Sequence, residues 1–295
     1  LYTLGREFGP AWLHEPRPLT PRAREARIPD RVDWSADSGE FVLSDVYEGR
    51  NMAGVARGEI SELLVLESLP KPINYTGGMD PLSYGGTFTL ERIVGTVPVE
   101  PDGSARFELP ALRSYLFVAL DAQGRSVKRM QSFTTVMPGE RLGCVGCHEP
   151  RTQAAPNVKG RTVPIALTKP AARPRPVEGV PDVPDFPRDV QPVLDVLCVG
   201  CHGYDATAAG GPRAGRLILT GDRGPMFSHS YYMITVAGLV ADGRNNPRSN
   251  YPPRALGSSA SRLLAKMDGS HHGVRATPEQ ERIVRMWIEA AAPYP

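Results

Sequence analysis

The 295-residue sequence has few of the side chains on which metal and redox chemistry depends: four cysteines and six histidines. It also lacks any apolar run near the ~18 residues that a membrane-crossing helix requires, so no transmembrane segment is expected. Its basic residues are mostly arginines scattered along the chain, and the formal charge is only +2. That excludes the basic patch of a nucleic-acid-binding protein. A starting methionine, a basic leader and an apolar leader core are all missing. This fits a mature chain whose export signal has been removed, or a piece of a longer chain. With 41% hydrophobic residues the chain can still bury one or two ordinary globular cores.

The few cysteines are tightly grouped. Cys-Val-Gly-Cys-His occurs at 144–148 and again at 198–202, and the two copies use every cysteine. Cys-x-x-Cys-His is the attachment signature of c-type haem. Two thiols three residues apart each add to one vinyl group of the porphyrin, and the next residue brings an imidazole to the iron as proximal ligand. The sequence therefore implies two covalent haem c groups. One sits on Cys144 and Cys147 with His148, the other on Cys198 and Cys201 with His202. A structural zinc site is the competing reading, but the pairs lie about 50 residues apart, against ~15–20 in zinc ribbons. Zinc also gives no reason for a histidine after each pair. Two disulfides, compatible with an exported protein, explain neither the spacing nor the histidines. A thioredoxin-like motif is usually single and sits on a βαβ unit, a pattern missing around both copies. Haem is attached to c-type cytochromes outside the cytoplasm, so the motif sets the expected location as periplasm, cell surface or beyond. Four propionates and two ferric cores bring the formal +2 to about zero.

The rest of the chain suggests an α+β protein in four parts. Residues 1–30 form an extended arm rich in Pro and Arg. Residues 31–150 read as a β-sandwich-like domain ending in the first motif. Its strand-like runs are Phe41–Tyr47, Glu59–Leu69, Thr87–Val99, Ala105–Leu109, Tyr115–Leu120 and Val127–Val136. Pro101-Asp102-Gly103 reads as a hairpin turn. Residues 151–187, dense in proline, read as a linker or an extended polyproline strap. Residues 188–295 read as a small, α-helical, class I-like cytochrome c domain. Asp189–Leu197 is a helix running into the second motif, and Thr277-Pro278-Glu279 opens a closing helix with apolar Ile283, Val284, Trp287 and Ile288. Trp287 is expected in the core or at the haem edge.

The sixth iron ligand decides what each haem does, since a second strong ligand favours electron transfer and an open position permits binding or catalysis. Simple cytochrome c domains place a methionine shortly before the closing helix. Here that stretch is Met267-Asp268-Gly269-Ser270-His271-His272. Bis-histidine ligation of the second haem by His271 or His272 is the first expectation, with Met267 as the alternative; histidine in place of methionine lowers the potential. For the first haem the remaining candidates are His229, isolated in a loop-like stretch, and His14, which could reach a haem in another subunit from the arm.

Several blocks resemble the hydrazine synthase alpha subunit family. They are Gly95–Ala105, Phe117–Asp121, the first motif with Glu149-Pro150-Arg151, and the closing stretch from His271-His272 through Trp287-Ile288 to Tyr294. The resemblance runs from about residue 40 to the end and implies a β-rich domain with one haem c and a C-terminal domain with a bis-histidine haem. Larger members of the family contain a β-propeller, and no propeller repeat is visible here. The resemblance also implies a tyrosine ligand four residues beyond the first motif histidine, leaving an open face. This sequence has Thr152 there, which argues against hydrazine chemistry and for ordinary ligation by His148.

The expected function is therefore electron transfer by an exported dihaem cytochrome. Its partners would be other redox proteins or further copies of itself, and a head-to-tail contact that does not close would produce an extracellular filament. The alternative is a haem enzyme acting on a small nitrogen or oxygen species at an open first haem. A dihaem peroxidase fits the length, but its family is mostly helical. A small-gas sensor lacks any visible output domain.

Overall fold

A computed structural model describes residues 19–21, 23–24, 26, 29–30, 32–70, 83, 90–147, 163–208, 210–243 and 250–294. The chain divides into two units, Leu1–Arg31 and Val32–Pro295. The described residues of the first form no regular element.

In the second unit the strands are β1 (Ser38–Leu43), β2 (Ile60–Leu69), β3 (Leu90–Pro98), β4 (Ala105–Pro110), β5 (Tyr115–Asp121), β6 (Ser126–Arg129) and β7 (Arg141–Cys144). They make a sheet of order β4-β1-β7 and a second of order β3-β2-β5-β6. All pairings are antiparallel except β1 with β7. Alternation of side chains along each strand sends Phe41, Phe107, Leu63, Val65 and Ala119 between the sheets. There Phe41 stacks on Phe107 at 5.5 Å and meets Phe117 edge-on at 5.5 Å.

Two local expectations change. The Pro101-Asp102-Gly103 turn is present, closed by the Gly103 N–H on Glu100 O and by Asp102 Oδ1 accepting from the Ser104 N–H. The strands it joins, however, belong to different sheets, because β3 pairs with β2 and β4 with β1. It is a corner of the sandwich and not a hairpin. The proline-rich stretch is a strap in its described part. Arg175 exchanges both backbone hydrogen bonds with Thr96 on β3, and Ala172 bonds Arg106 and Glu108 on β4. Those are the edge strands of the two sheets, whose free N–H and C=O groups need a partner. The strap ends deeper, with Ala166 buried and its N–H on Ser104 Oγ.

The helical half contains α1 (Gln191–Leu197), entered through one wide turn at Phe186–Val190, then α2 (His229–Val236), α3 (Arg262–Ala265) and α4 (Pro278–Glu289). Asp185 caps the wide turn by accepting from the Arg188 N–H. Thr277 and Gln280 form a reciprocal capping box on α4, with Pro278 at its first position. One face of α4 puts Val284, Trp287 and Ile288 into a core with Phe186, Leu194, Tyr231 and Ile234. Its other face, Met286 with the following Ala290, covers Leu64, Leu66, Leu116, Val118 and Leu120 on the outer surface of the four-stranded sheet. The two halves thus share one helix as a common wall. Polar contacts lock the seam. Arg129 pairs with Glu91 at 2.6 Å and bonds the Glu289 carbonyl, and the Ser258 N–H donates to Glu289 Oε1 at 2.8 Å. The fold is α+β. Among the described residues no helix is long and apolar enough to cross a membrane.

Candidate cofactor sites

The two cysteine pairs lie in separate halves, Cys144 and Cys147 in the β-half and Cys198 and Cys201 in the helical half. Among the described residues no group of three or more His, Cys, Asp or Glu side chains is placed to hold a metal ion.

The second pair continues α1. Cys198 N–H bonds Leu194 O, and Cys198 O then accepts from both Cys201 N–H at 3.1 Å and His202 N–H at 2.9 Å. This helix-like turn sets the thiols three residues apart on one side, with the imidazole following. Burial, reinforced by the neighbouring Cys201, pushes the Cys198 thiol up to about 11. Gly210, at φ +136, passes so close that a Cβ there would lie 3.2 Å from Cys201 Sγ. The His202 carbonyl accepts from the Leu219 N–H at 2.7 Å, while its ring nitrogen Nδ1 is buried without a partner.

Facing His202 is His271. Their rings are within 19° of parallel with centroids 6.1 Å apart. A metal–nitrogen bond is about 2 Å, so this separation leaves room for one iron between the two rings. The donor set therefore fits a haem iron held between two imidazoles. The loop carrying His271 is closed by the Gly269 N–H on Val274 O and the Val274 N–H on His271 O. His272, in the left-handed region at φ 49, is exposed and meets His271 edge-on at 4.7 Å. Burial first, then Lys266, His272 and His202, lower the pKa of His271 and favour the neutral, ligating imidazole. Met267 is 3% exposed and packs in the helical core with Leu263, Leu264 and Val284.

The first pair is built differently. Cys144 ends β7, a strand with no recognisable sequence pattern that exists because it pairs in parallel with β1, Leu43 opposite Cys144. The motif then runs beside the loop that follows β1: Ser44 N–H bonds Cys144 O, Asp45 N–H bonds Val145 O, and Cys147 N–H bonds Glu48 O at 2.7 Å. Two glycines permit this approach. A Cβ on Gly146 would lie 2.2 Å from Glu48 O, and one on Gly49, at φ +151, would lie 2.2 Å from Cys147 O. Gly146→Ala is accordingly expected to cost about 1–3 kcal/mol and spread the loop. If the motifs carry haem, mass spectrometry should find one haem fewer in the variant, lost from the first motif only; full loading with an unchanged spectrum would contradict the clamp.

Behind that loop lies a residue for which the sequence gives no signal. Lys128, in the middle of β6, is 5% exposed, and its ammonium donates to the carbonyls of Arg50, Asn51 and Tyr251. Arg50 Nε is buried without a hydrogen-bond partner. His229 sits at the start of α2 in the helical half, its N–H on Asp222 O, whereas Cys144 and Cys147 belong to the β-half. His14 and His148 lie outside the described residues. The chain has no histidine at all between residues 15 and 147.

A family model described as the hydrazine synthase alpha subunit middle domain matches residues 58–149, about a third of the chain, ending just past the first motif. Among solved structures, hydrazine synthase from Kuenenia stuttgartiensis matches with a TM-score of 0.62 at 19% identity, over 88% of this chain and 43% of that one. The chain spans less than half the length of that protein, and the likeness is one of fold. No curated protein matches the sequence. These findings support the resemblance to the hydrazine synthase alpha subunit family.

Proposed function

We propose that the chain is an exported dihaem c-type redox protein with two unequal centres: a closed electron-transfer centre in the helical half and an open one in the β-half that acts on a small nitrogen or oxygen species. Cys198 and Cys201 would hold one haem between His202 and His271, in a class I-like cytochrome c domain. Cys144 and Cys147 would hold the other, with His148 as its proximal ligand. Bound there, haem iron supplies one-electron transfer and, where a face is open, a binding position for a small molecule. The single observation behind this reading is the parallel His202–His271 pair, which has no counterpart in a β-half devoid of histidine before residue 148.

The protein's own residues divide the work. His202 and His271 exclude outside ligands from the second centre. The clamp at Gly49 and Gly146 fixes the first attachment site. The shared α4 packs against both halves and would tie the two centres into one rigid frame. Thr152 stands where the resemblance implies a tyrosine ligand, which argues against hydrazine formation.

Electron paramagnetic resonance of the oxidised protein tests this reading. One low-spin and one high-spin ferric signal in equal amounts is the expected result. Two low-spin signals would instead support the electron carrier or filament, with His14, His229 or another copy closing the first haem.

A further inference from the structure

The loop beside Cys147 carries more positive charge than its surroundings balance. Lys128 is buried on β6 and interacts electrostatically with both Cys147 and Arg50. Burial is the main cause lowering its pKa, Arg50 adds to that, and Cys147 opposes it. Its partners are carbonyl oxygens only, from Arg50, Asn51 and Tyr251. The Arg50 guanidinium has no carboxylate partner among the described residues, and its Nε is buried and unbonded. The nearby acids are engaged elsewhere: Asp45 pairs with Arg57 at 2.6 Å, and Glu48 acts on Arg57 as well. Most other arginines of the β-half meet a carboxylate, as Arg92 and Arg113 meet Glu67 and Arg106 meets Glu40. Two neighbouring cations without a carboxylate partner among the described residues, one of them buried, are unfavourable unless an anion joins them.

We propose that Arg50 and Lys128 form an anion-binding site beside Cys147 that takes a carboxylate or small oxyanion. The inference rests on the reading that Cys144 and Cys147 carry a haem. Two sources share this chemistry: a propionate of that haem, and a free oxyanion such as nitrite. Either way the pair favours the reduced form of the first centre, because positive charge beside it opposes the extra positive charge of ferric iron. A unit charge ~10 Å away at an effective dielectric constant of about 20 changes the equilibrium roughly tenfold.

The test uses the haem-loaded protein and its Arg50→Gln, Lys128→Met and Arg50→Lys variants, poised at one fixed potential. In Arg50→Gln and Lys128→Met the ferric-to-ferrous ratio of the first centre should rise about tenfold, equivalent to ~59 mV for a one-electron couple. Arg50→Lys should stay close to wild type, and the second centre should not move in any variant. Nitrite titration separates the sources. A saturable spectral shift in wild type that Arg50→Gln abolishes identifies a free oxyanion, and a changed ratio without that shift identifies the propionate. A fully loaded Arg50→Gln protein with an unchanged ratio and unchanged nitrite response overturns this inference alone. A wild-type protein with no haem on Cys144 and Cys147 overturns both it and the reading beneath it.

Discussion

His271→Ala is expected to convert the proposed second haem from low-spin to high-spin almost completely, with the reduced variant binding one more carbon monoxide than wild type. His272→Ala should leave both properties unchanged. This difference between adjacent residues follows from their placement: His271 lies parallel to His202 at 6.1 Å, while His272 is exposed in a left-handed turn and touches only the edge of His271. Loss of the low-spin signal in His272→Ala but not in His271→Ala would reverse the assignment. Loss in neither would return the role to Met267, against its packing in the helical core.

Trp287→Ala is expected to destabilise the entire second unit. The indole is fully buried, packs on Phe186 at 5.3 Å, and donates from Nε1 to the Pro293 carbonyl at 2.8 Å. Truncating such a side chain costs about 3–5 kcal/mol, a large part of an ordinary stability of ~5–15 kcal/mol. Because the opposite face of α4 covers Leu64, Leu66 and Val118, the loss should reach the sheet. Hydrogen exchange should then show faster opening of the β2 and β5 amides together with those of α1 and α4. Protection lost in the helical half alone would mean that the halves fold independently.

Much of this architecture is legible in the sequence. Both Cys-Val-Gly-Cys-His copies, the capped closing helix and six of the strands follow from motif, capping and alternation. The joining of the halves was legible too, though less directly. Leu63-Leu64-Val65-Leu66 is apolar at every position, and a strand of that kind is buried on both faces. One face looks into the sandwich and the other requires a cover, which α4 supplies. The proline-rich strap conceals its role because prolines contribute no N–H, yet Ala172 and Arg175 do and make the edge contacts. β7 was beyond reach, since Arg-Leu-Gly-Cys has no strand pattern and gains its conformation only from β1. The cations behind the first motif were hidden as well, because a lysine in a strand ordinarily points to solvent and Lys128 points inward.

Carbon monoxide counts the inequality of the two proposed centres. Titration of the fully reduced protein, with two covalent haems established by mass spectrometry, should end at one carbon monoxide per chain. Cys144→Ala with Cys147→Ala should abolish that binding and leave the low-spin spectrum of the second centre intact. No binding in wild type, or two molecules bound per chain, would contradict the account.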